Sequence, residues 1–94
     1  MVSLSDIITI MRKKHPQTLK AIFHEPVLSN VKWDDIEKLF IAVGAEIEEG
    51  RGSRVRIFLN NQVSVFHRPH PRKETDKGAL ISVRRFLANC GVLP

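Results

Sequence analysis

His67 and His70 stand three residues apart, and Arg51, Arg54 and Arg56 precede them around a Gly52-Ser53 turn. Arg68, Arg72, Lys73 and Lys77 lie between and after the histidines. Histidine can give or take a proton near neutral pH. Arginine is always charged, so it can grip phosphoryl oxygens with a planar fork but cannot serve as a base. Together these side chains meet the needs of metal-free phosphodiester cleavage in RNA. That reaction needs a base for the 2′-hydroxyl, cations on the phosphoryl oxygens and an acid for the leaving oxygen. On this division His67 or His70 moves the proton while Arg54 and Arg56 hold the phosphate. Simpler roles are open too: His67 as a ring at a strand end, and His70, between Pro69 and Pro71, as a backbone hydrogen-bond partner. Ser53 either donates to a phosphate or does ordinary turn chemistry. The His67-x-x-His70 spacing would suit a metal pair, but no third ligand stands at a convincing spacing and Cys90 is the single cysteine. No metal and no cofactor are therefore expected. His15 and His24, beside prolines or an acid, read as surface residues.

Charge is divided sharply along the chain. Residues 1–50 hold 6 Lys/Arg against 8 Asp/Glu, a balance of −2, and residues 51–94 hold 9 against 2, a balance of +7. Seven of those nine cations are arginines, which bind phosphate and also stack on bases. A polyanion is the partner this half calls for; the alternative is a basic surface that merely solubilises the chain. The 94 residues, 43% hydrophobic and 27% charged, suit one domain with a modest core rather than a disordered chain. No apolar run is long enough to cross a bilayer. Near the N-terminus the basic residues follow the apolar ones, the reverse of a secretory signal, so a cytoplasmic protein without membrane association is expected. The lone Cys90 fits that compartment and reads as a small buried hydrophobe.

The elements that must position these residues follow from periodicity. Leu4, Ile7, Ile8 and Met11 predict a helix over 5–14, capped by Ser5. A second short helix starts near Pro16 and ends before Pro26. Residues 26–32 read as a linker. Trp33, Ile36, Leu39, Phe40 and Val43 form the apolar stripe of a three-turn helix that ends at Gly44. The period then becomes two. Residues 45–49 read as an edge strand, and 53–59 and 62–67 as a hairpin closed by Asn60-Asn61. A two-residue loop sets the register Leu59–Gln62, Phe58–Val63, Ile57–Ser64, Arg56–Val65, Val55–Phe66 and Arg54–His67. Val55, Ile57, Leu59 and Phe66 then face a core. Arg54, Arg56, Phe58, Val63, Val65 and His67 share the other face. Phe58 there either stacks a base or is covered by the helices of residues 5–23. Residues 68–77 form a loop, and a last helix follows over 77–90, with Ala79, Val83, Phe86, Leu87 and Cys90 inward. Helices on one side of a small antiparallel sheet give an α+β architecture.

The helix opening at Trp33, the Gly52-Ser53 turn, the hairpin, the Pro69-His70 element and the helix from Lys77-Gly78 to Gly91 together resemble the HicA toxins of bacterial toxin–antitoxin pairs. The resemblance covers residues 32–94 and leaves residues 1–31 as an added N-terminal helical arm. It implies a fold like the double-stranded RNA-binding domain, α-β-β-β-α. It also implies binding and endonucleolytic cleavage of single-stranded mRNA, and a HicB-type antitoxin that covers the active surface. The family's catalytic histidine follows the Gly-Ser turn directly, where this chain has Arg54. The candidate site, from the register and the clustering of basic residues together with the resemblance at Pro69-His70, is thus Arg54, His67 and His70, with Arg51, Ser53, Arg56, Arg68, Arg72, Lys73 and Lys77 on the RNA. A non-catalytic RNA-binding module of the same fold and an antitoxin-binding interaction domain are the other two readings.

Overall fold

Proline in a first helical turn forfeits no hydrogen bond, and Pro16 occupies that place. The computed structural model describes residues 14–94, and its first helix, α1, spans Lys14–Ile22. The helix expected over 5–14 lies outside the described residues except for Lys14, which opens α1. The stripe from Trp33 forms α2 (Trp33–Ala42), with Trp33, Ile36, Leu39 and Phe40 buried. Gly44 ends it at φ +97°, a left-handed conformation that suits glycine.

Three antiparallel strands follow in the order β1 (Glu46–Glu49), β2 (Arg54–Leu59), β3 (Gln62–His67). All six hairpin pairs occur as the two-residue loop requires, from Leu59–Gln62 to Arg54–His67. Asn60 and Asn61 both adopt positive φ, 49° and 63°, as a type I′ turn demands. The Asn60 side chain donates to the Cys90 carbonyl at 2.6 Å and so pins the hairpin tip to the end of the last helix. That helix, α3, spans Lys77–Asn89, and Asp76 caps it by accepting from the Ala79 N–H at 2.8 Å. From α2 to α3 the order is α-β-β-β-α, an α+β fold like that of the double-stranded RNA-binding domain.

The helices cover one face of the sheet. Val55, Ile57, Leu59 and Phe66 meet the buried sides of α2 and α3. Trp33, Phe40, Phe66 and Phe86 form an aromatic cluster with ring centroids 5.8–5.9 Å apart. Offset and edge-to-face pairs of this kind each add about 0.5–1.5 kcal/mol beyond the area they bury. Leu80, which the sequence stripe passed over in favour of Ala79, is fully buried. Ile22 and Val31 belong to the same core cluster, so the described part of the arm is built into it. Arg84 fastens that junction: its guanidinium donates to the Ile22 and His24 carbonyls at 2.8 Å and pairs with Glu25.

Covering of Phe58 by residues 5–23 is not borne out for the part that is described. α1 packs on α2 and α3 instead. Among the described residues the outer face of the sheet is open: Phe58 is 36% exposed, Val63 57% and Val65 50%.

Candidate nucleic-acid interface

The β1–β2 turn and the end of the hairpin bring the candidate side chains together. Gly50 accepts the close approach of Arg54, since a Cβ there would lie 3.0 Å from the Arg54 Cβ. The Arg54 N–H turns back to the Arg51 carbonyl (3.1 Å), and the Arg68 N–H bonds the Ser53 carbonyl (2.8 Å). With those bonds outside it, Arg54–His67 is a non-hydrogen-bonded ladder pair. Cα atoms in such pairs approach to about 4.5 Å and their side chains lie close on one face. Arg54, Arg56 and His67 are all exposed there.

Two shallow hollows adjoin this pair. One is lined by Gly50, Arg51, Arg54, Arg56 and Val65. The other holds His67 and His70 with Arg72, Glu74 and Asp76. The structure thus assembles Arg51, Arg54, Arg56, His67, His70 and Arg72 along one end of the sheet. Ser53 sits exposed in the turn. Lys73 and Lys77 are exposed farther along and line neither hollow. The chain at Lys73 is anchored by its backbone, whose carbonyl accepts from the Trp33 N–H at 3.0 Å, while the Thr75 N–H reaches the Val31 carbonyl at 2.7 Å. Arg56 also forms an exposed ion pair with Glu48 at 3.1 Å.

Arg68 is held by two carboxylates. Its Nε and Nη2 donate to the two Glu37 oxygens at 2.7 and 3.0 Å, and Nη1 and Nη2 donate to Glu49 at 2.5 and 2.7 Å. The Trp33 indole N–H shares the same Glu37 carboxylate. Hydrogen bonding to both carboxylates, Glu49 first, raises the Arg68 pKa, and the Arg68 guanidinium holds Glu49 below the usual carboxylate range. A guanidinium committed at four of its N–H groups is a clamp joining α2, β1 and the end of β3, which leaves one of its five N–H groups for a phosphate. The sequence also gave little notice of Glu74 and Asp76 beside the histidines; their alternation with basic residues in the loop was the only sign. Among the described residues no group of three or more His, Cys, Asp or Glu side chains is placed to hold a metal ion. Nor is any described helix long and apolar enough to cross a membrane.

The family model described as the HicA toxin of bacterial toxin–antitoxin systems matches residues 33–92, from the first residue of α2 to just past α3. The chain belongs to the HicA toxin family. No curated protein and no solved structure matches it. Within this HicA chain the matched region contains the whole sheet, both histidines and every arginine of the open face.

Proposed function

We propose that this HicA-family chain binds single-stranded mRNA across the open sheet face and cleaves it as a metal-independent endoribonuclease, acting as the toxin of a pair with a HicB-type antitoxin. The observation that carries this reading is the Arg54–His67 ladder pair with His70 in the adjoining hollow. The guanidinium faces a phosphate, and the imidazoles stand on the side where protons must move. One histidine takes the 2′-hydroxyl proton, and the other returns one to the leaving 5′-oxygen. Arg54, with Arg51 and Arg56, offsets the charge that builds on the phosphoryl oxygens. The guanidinium at the family's usual histidine position is thereby a phosphate ligand, with proton transfer moved to the end of β3 and the loop beyond. The cytoplasm, where mRNA is translated, is the compartment this activity requires.

The test is turnover of labelled mRNA by substoichiometric protein in EDTA. Repeated cleavage supports the endonuclease. Salt-sensitive binding without cleavage would replace it with an RNA-binding module, a role for which Arg54 is equally suited.

A further inference from the structure

The open sheet face has two unlike ends. At one end stand Arg51, Arg54 and Arg56. At the other, by the hairpin tip, Phe58 lies between Glu46 on β1 and Val63 on β3 in the same ladder row. These three line a shallow pocket together with Asn61 and Gln62. We infer that this pocket is a subsite for one unpaired nucleobase of a single-stranded RNA whose phosphates lie on the arginine end. The inference rests on the reading of the chain as an RNA-binding protein.

The chemistry of the pocket selects a base over a phosphate. The Glu46 carboxylate repels the backbone but accepts hydrogen bonds from the donor groups on a base edge, and the side-chain amide of Asn61 both donates and accepts. The exposed Phe58 ring offers a stacking surface, and Val63 walls one side. Such an aromatic, half-exposed on a sheet beside a cationic patch, is the combination that single-strand binders use. Arg54 and Phe58 are four residues apart on β2, about 13 Å along the strand. The stacked base therefore belongs to a nucleotide some way along the strand from the phosphate held at Arg54. A duplex hides its base faces in the stack, so this subsite would make the chain prefer single strands even though its fold is that of a duplex binder.

The test uses Phe58→Ala, Phe58→Leu and Phe58→Trp in the full chain, with a short single-stranded RNA and the duplex formed from it. Trp33 is only 2% exposed, so an indole introduced at position 58 is the one that reports on solvent and ligand. Expected is quenching of that indole by the single strand and not by the duplex. Single-strand affinity should fall about tenfold in both Phe58→Ala and Phe58→Leu, with duplex binding little changed and circular dichroism native. Wild-type affinity in Phe58→Ala would overturn the subsite, as would full retention in Phe58→Leu or equal quenching by duplex. If Phe58→Ala leaves RNA binding intact and instead dissociates a dimer in sedimentation, the face is a protein interface and the subsite falls. A wild-type chain that binds no RNA would overturn the RNA reading itself.

Discussion

Replacing Arg68 with alanine should weaken the fold and spare the phosphate contacts, the opposite of what its place in the basic run implies. Arg68 gives two hydrogen bonds to each of Glu37 and Glu49. Glu49 is largely exposed, at 67%, so solvent and salt screen that pair and it adds little. Glu37 is only 18% exposed, and without Arg68 its carboxylate keeps the Trp33 indole donor alone. Loss of a bidentate, charge-assisted pair at such a site costs about 2 kcal/mol. For a domain of this length that is about 10 °C in melting temperature. Arg68→Lys should recover only part of the loss, because an ammonium cannot span both carboxylates with a fork. The assay is thermal unfolding by circular dichroism beside RNA binding across a salt series. An unchanged melting temperature with a flattened salt dependence would refute the clamp and return Arg68 to the phosphate. The pH dependence has a definite sign. The folded-state pKa of Glu49 is depressed from its ordinary value of 4.5, so its contribution is complete above that pH and is lost as pH falls below it. Arg68→Ala should remove part of the acid destabilisation seen in the wild type.

Arg54→Ala should lower the slope of log affinity against log salt by about 0.7 for single-stranded RNA, as one lost phosphate contact requires; an unchanged slope would place Arg54 off the backbone. Thr75→Val should raise stability by about 1 kcal/mol, because the Thr75 hydroxyl is buried with no partner among the described residues. A lowered melting temperature would show that this hydroxyl is hydrogen-bonded in solution.

The hairpin was readable because its signals are local. Asn60-Asn61 tolerates positive φ, alternation marks the faces, and the two-residue loop leaves a single register, which the structure adopts. The stripe of α2 was equally plain, since four of its five positions are buried and Val43 is partly so. At α3 a stripe through Ala79 misses its buried neighbour Leu80; a helix face one residue wide of its true centre still catches Val83, Phe86 and Leu87. The clamps were not readable. Arg68 meets Glu49 and Glu37, 19 and 31 positions away, and Arg84 meets carbonyls about 60 positions away. Nothing in a charge count separates an arginine destined for such a pair from one left to face a phosphate. That is why Arg54, Arg56 and Arg68 looked alike in the sequence and differ in the fold.

The division of labour between Arg54 and the two histidines is tested most directly by cleavage of labelled mRNA in EDTA by the wild type and by the His67→Ala/His70→Ala double mutant, read on a denaturing gel. Both histidines are exposed, so the double mutant should keep its circular dichroism spectrum and its salt-sensitive hold on RNA. The expected result is cleavage by the wild type and its loss in the folded double mutant. Cleavage at the wild-type rate by that mutant would contradict the assignment and move proton transfer away from this end of the sheet.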